Sequence, residues 1–157
     1  MPTSATAVAN MPSTTIGTYL GISTNGTTYN KLIPIKDFPD LGGAPDQVEI
    51  TDLDDDVQKF LLGVQSMSAL EFTANYVPAN YDTVSALADG TIRKFCISFG
   101  DEGEYGIFTW EGQIACWSTG GGVNAAREMR ISISATSKVV KAGSTTTFST
   151  TAYEPTL

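Results

Sequence analysis

Between Leu32 and Gly63 the chain reads LIPIKDFPDLGGAPDQVEITDLDDDVQKFLLG, and whatever fold it adopts must accommodate this stretch. Pro39, Pro45 and the Gly42–Gly43 pair interrupt it, and a run of acids follows. Long irregular connections are uncommon inside compact domains and mark binding loops or disorder. This one is too apolar for disorder, because Leu32, Ile33, Ile35, Phe38, Leu41, Val48, Ile50 and Leu53 punctuate it. Ordering its backbone costs roughly 1–2 kcal/mol per residue. The loop therefore needs a surface to pack on, and the inference is that another subunit supplies part of that surface.

The remaining sequence limits the alternatives. At 157 residues one domain is expected, and 41% hydrophobic residues suffice for a core. Glycine, threonine and serine abound while long helix-forming runs are scarce, which points to a mainly β fold. A net charge of −8 argues against gripping nucleic acid, since phosphate affinity comes from Lys and Arg displacing counterions. Histidine is absent, which removes the usual general base and the commonest metal ligand. No nucleophile–base set is visible, so an enzyme is not expected, and neither a cofactor nor a metal is called for. Cys96 and Cys116 sit in strand-like runs and read as reduced core thiols. The first residues lack a secretory pattern, and no apolar run approaches the roughly 20 residues that span a bilayer. No membrane association is expected.

Residues 1–14 are small, polar and uncharged, and read as a flexible arm. Asn25–Gly26 predicts a two-residue hairpin between strands over 15–23 and 27–33, placing Ile22 opposite Tyr29 and Leu20 opposite Lys31. Residues 51–62 suggest a short helical turn capped by Thr51 or Asp54. A strand is predicted over 68–77 with Leu70 and Phe72 on one face. A helix follows over 80–88, capped by Asn80, with Tyr81, Val84, Leu87 and Ala88 sharing a face and Gly90 beyond its end. Residues 91–99 and 105–117 form the clearest hairpin: Phe95, Ile97 and Phe99 alternate on one arm, and Phe108, Trp110, Ile114 and Cys116 on the other. A long strand over 125–139 puts Met129, Ile131, Ile133 and Ala135 on one face, and 145–152 suggests an edge strand. The expected architecture is a β-sandwich or bent antiparallel sheet with one short flanking helix.

Motifs with catalytic overtones resolve into simpler readings. Asp52, Asp54 and Asp56 alternate like the start of a calcium loop, but Val57 and Gly63 stand where that loop needs Gly and Glu. Asp101, Glu102 and Glu104 lie at a glycine-flanked turn, which reads as solvated. Gly120–Gly122 lacks the Lys-Ser/Thr and helix of a phosphate cradle. Trp110 and Trp117 fall on opposite faces of one strand, which suits packing better than a sugar platform.

The segment from Ile35 to Asp46 (IKDFPDLGGAPD), followed by Val48–Thr51, an acidic stretch and then QKFLLGVQ over 58–65, resembles the major tail (tail tube) proteins of long, non-contractile-tailed bacteriophages. The likeness covers roughly residues 16–139; only the loop motif is specific. It implies a tail tube β-sandwich over 15–140, an assembly loop over 32–66, and a C-terminal tail or edge strand over 141–157. It further implies six subunits per ring, rings stacked into a hollow tube, and a virion tail made in the host cytoplasm. Expected partners are further copies of the chain, a tape measure protein, a tail terminator and a distal tail protein, with DNA passing through without specific binding. Phe38, Pro39, Asp40, Leu41, Gly42, Gly43, Ala44 and Pro45 are the expected contact loop, with Phe38 and Leu41 as apolar anchors. Asp52, Asp54, Asp55, Asp56, Asp101, Glu102 and Glu104 are candidates for the lumen or for contacts between rings. Some relatives carry an added C-terminal immunoglobulin-like domain; ending at Leu157, this chain is expected to leave the tube surface bare. The rival readings are another ring-forming tail component (a terminator or distal tail protein) and an acidic carbohydrate-binding or adhesion module.

Overall fold

The structure is a computed structural model that describes residues 17–153 apart from Asp101 and Ser144. The expected arm over 1–14 lies outside the described residues. Among the described residues, the strands β1 (Thr18–Ser23), β2 (Thr28–Pro34), β3 (Pro45–Glu49), β4 (Phe60–Gln65) and β5 (Leu70–Asn75) are followed by a helix, α1 (Pro78–Leu87). Five further strands complete the order: β6 (Arg93–Phe99), β7 (Gly106–Ser118), β8 (Glu128–Ala135), β9 (Val140–Lys141) and β10 (Thr147–Ala152). The main sheet runs β10-β2-β1-β6-β7-β8-β5, with β9 also pairing with β7. It is mixed rather than purely antiparallel, because β10 lies parallel to β2.

The fold turns on β7. Its first half pairs with β6 up to Gly112, and its second half pairs with β8 from Gly112 onward. A Cβ at Gly112 would sit 2.5 Å from the Ser134 carbonyl oxygen, so only glycine admits the close backbone approach at this bend. The two halves of the sheet then face one another. Phe72 of β5 stacks on Trp110 of β7, with ring centroids 5.9 Å apart and planes within 7°. Leu20, Ile33, Phe95, Ile97, Met129, Ile131 and Ile133 fill the same core, and Val84 and Leu87 of α1 cover it. Tyr29, Cys96, Ile107 and Phe148 form a second small cluster. It explains why Cys96 is wholly buried although its neighbours Phe95 and Ile97 already face the main core.

Several local expectations shift. A bulge between Leu20 and Gly21 places Leu20 opposite Ile33 and Ile22 opposite Asn30, not opposite Lys31 and Tyr29. The turn is accordingly longer than two residues: Asn25 Oδ1 accepts the N–H groups of Thr27 and Thr28, and Gly26 takes φ +83°. Helix α1 begins at Pro78 after the N-cap Val77, and no side chain caps it. Proline suits the first helical position because an N–H there would lack a helical partner, so Asn80 lies within the first turn instead of capping it. Ala88 is exposed and does not share the buried face. The strand expected over 125–139 is confined to β8. Both cysteines are free thiols. No helix among the described residues is long and apolar enough to cross a membrane.

Candidate functional site

The segment over 32–66 is not an irregular loop. It folds into a β-hairpin arm, β3 paired antiparallel with β4, that joins no other strand among the described residues. Residues 51–62, expected to turn helically, form the arm's tip and the start of β4. The strands pair Gln47 with Leu62, Val48 with Leu61 and Glu49 with Phe60. Beyond them Ile50 N–H donates to the Lys59 carbonyl at 2.9 Å, and Lys59 N–H donates to Thr51 Oγ1 at 2.9 Å.

The acids at 52–56 build the tip's turn. Asp52 N–H donates to Asp55 Oδ2 at 3.0 Å, and Asp54 N–H donates to Asp52 Oδ1 at 3.0 Å. The Lys59 ammonium pairs with Asp55. That hydrogen bond, helped by the Asp52 N–H, holds the Asp55 carboxyl below its ordinary range. Asp52, Asp54 and Asp56 are exposed. Glu102 and Glu104 occupy a different place, the β6–β7 turn, where Gly100 and Gly103 take positive φ; Asp101 lies outside the described residues. No group of acids and cysteines among the described residues is arranged to hold a metal ion.

The arm's strands are apolar and uncovered. Phe60, Leu61, Leu62 and Val64 of β4 are all exposed, as are Val48 of β3 and Ile50, Leu53 and Val57 of the tip. Leu62 retains 73% and Val64 81% of their full accessibility, and adjacent Leu61 and Leu62 point to opposite faces. A lone two-stranded hairpin is marginal in water, and contiguous exposed apolar surface marks an interaction site. The arm therefore has the character of an interaction surface.

The expected contact loop has a different role at its two ends. Phe38 and Leu41 turn partly inward against the chain's own core, and Phe38 packs on Phe99 with ring centroids 5.6 Å apart. Lys36 N–H donates to the Thr73 carbonyl at 2.7 Å, and Asp37 bridges to Thr73, so this stretch covers part of the free edge of β5. Asp40, Gly43 and Ala44 are exposed, while Pro39, Gly42 and Pro45 are half-buried. Gly42, at φ +116°, redirects the chain into the arm, and the Gln65 side-chain amide donates to the Gly43 carbonyl, fastening the arm's root. Sequence reasoning placed the contact at residues 38–45 and did not single out the exposed strands beyond them; the unbroken Phe60–Leu62 run beside the acids was the available signal.

No protein-family model matches the sequence, and neither does any curated protein sequence. Solved structures do match. A chain in the tail of an empty GTA particle, determined by helical refinement with C6 symmetry, superposes with a TM-score of 0.63 at 13% identity, over 84% of this chain and 100% of that one. The chain has a tail-tube-like fold. A chain of the extended PVC sheath–tube complex, an extracellular contractile injection system, gives 0.60 at 13% identity over 90% and 99% of the two chains. A chain of the PVC sheath/tube terminator gives 0.59 at 14% identity over 85% and 99%.

Proposed function

We propose that this chain is the repeating subunit of a hollow bacteriophage tail tube, a structural protein without catalysis. Six copies close a ring, rings stack, and the tube forms around a tape measure protein between a distal tail protein and a terminator. The observation that carries this reading is the uncovered apolar arm on a tail-tube-like fold. The sixfold symmetry of the matching GTA tail supports the ring number. Residues 38–45 form the arm's root in this reading, setting its direction, while β3 and β4 make the contact between subunits. The acids at 52–56 ride on the arm's tip and so lie between subunits; Glu102 and Glu104, on the separate β6–β7 turn, remain candidates for the lumen.

The charge suits a conduit. A ring of six carries a formal −48, six times the −8 of one chain. Like-charged walls repel DNA phosphates over about a Debye length, roughly 8–10 Å, and so favour sliding over sticking. The likeness to the PVC terminator favours a second reading, a ring that caps a tube and does not stack. Negative-stain micrographs of the protein at rising concentration separate the two. Long hollow tubes with sixfold end views support the tube subunit, isolated rings support the terminator, and a monomer at every concentration refutes both.

A further inference from the structure

We propose that the arm of one copy docks into an aromatic–arginine cleft at the opposite end of the next copy. This rests on the tube reading and adds the acceptor surface. A cleft of about 720 Å³ lies where the β7–β8 connection passes the end of β5 and the start of α1. Tyr76 and Tyr81 form one wall, their rings 5.5 Å apart and tilted by 51°. Arg127 forms another, its carbonyl accepting the Tyr76 N–H at 2.9 Å. Val123, 94% exposed, belongs to the Gly122–Ala125 turn that borders the cleft.

The two surfaces are complementary. Tyr and Arg, the residues of the cleft's walls, are among the types enriched at interface hot spots. Arg127 makes no ion pair with the described residues. The arm presents aliphatic Leu61, Leu62 and Val64, and between Pro45 and Gln65 it carries six carboxylates against the single Lys59. That segment also supplies about as many residues as one side of a standard interface, roughly 20–30.

Placement sets the mode of assembly. The arm's root sits by the Leu70 end of β5, where Gly42 and Gly43 share a groove with Ser66–Leu70. The cleft sits at the Asn75 end. A six-residue strand separates them, roughly 20 Å at about 3.3 Å per residue. Donor and acceptor at opposite ends of one body make a heterologous contact, which propagates head to tail and does not close on a pair.

The test uses full-length chains in sedimentation velocity, with circular dichroism to verify folding. An acceptor variant, Val123→Asp with Arg127→Glu, and an arm variant, Leu61→Ser with Leu62→Ser, should each need at least about tenfold more protein to assemble, the factor that 1.4 kcal/mol produces. Mixed together they should form a dimer that grows no further, since each supplies the half the other lacks. Independently, Asp54→Lys with Asp56→Lys should restore assembly to Arg127→Glu. An acceptor variant that forms tubes like the wild type, a mixture that stays monomeric, or a charge reversal that restores nothing overturns the docking proposal alone. A wild-type chain that never assembles overturns the tube reading as well.

Discussion

Replacing Leu61 and Leu62 by serine should abolish assembly at working concentrations while leaving the folded monomer intact. Full burial of a leucine side chain stabilises by about 1.5–3 kcal/mol. In the isolated chain Leu61 is 57% and Leu62 73% exposed, so well over half of that gain is still to be made on association. The pair is worth about 2–4 kcal/mol per contact, which corresponds to a roughly 30- to 700-fold rise in critical concentration. Substitutions at exposed positions change monomer stability by only about 0.5 kcal/mol. Light scattering against concentration reads the first effect, and urea denaturation of the dilute protein reads the second. Unchanged assembly would refute the assignment of β4 as a contact strand. A loss of more than about 2 kcal/mol in the monomer would show that these leucines pack on their own subunit.

Other consequences test the fold and the arm's tip. Phe72→Ala removes a wholly buried ring from the stack on Trp110 and should cost about 3–5 kcal/mol in urea denaturation. Gly112→Ala forces a methyl against the Ser134 carbonyl at the bend and should cost about 1–3 kcal/mol in the same assay. The Asp55 carboxyl titrates below its ordinary 3.8 in the folded arm, so its contribution is fully present above that pH and is lost as pH falls through the lowered value. Amide exchange at residues 52–59 should accordingly stay constant from pH 7 to about pH 5, after correction for intrinsic rates, and rise only below about pH 4.

What the sequence disclosed follows the physics of burial. The β6–β7 hairpin was legible because Phe95 and Ile97 face Trp110 and Ile114 across one core, which enforces strict alternation. The arm was illegible for the opposite reason. Neither face of β3 or β4 is buried on its own chain, so PDQVE and FLLGVQ carry no period of two, and the acids at 52–56 resembled a helix start. Phe38 was legible as an anchor but not in its direction, because its partner Phe99 lies far along the chain. The bulge after Leu20 slipped the first hairpin's register, and Gly21, an isolated glycine within the strand, was the signal available for it. The cleft was hidden because Tyr76, Ser118 and Arg127 become neighbours only through the β5–β8–β7 ladder.

The most direct measurement of the central claim is a helical reconstruction of the assembled wild-type protein, traced through Pro45–Gln65. The account predicts a hollow tube of stacked sixfold rings in which Leu61, Leu62 and Val64 are buried against a neighbouring subunit. A tube in which that segment touches only its own subunit, or a protein that stays monomeric when concentrated, would contradict it.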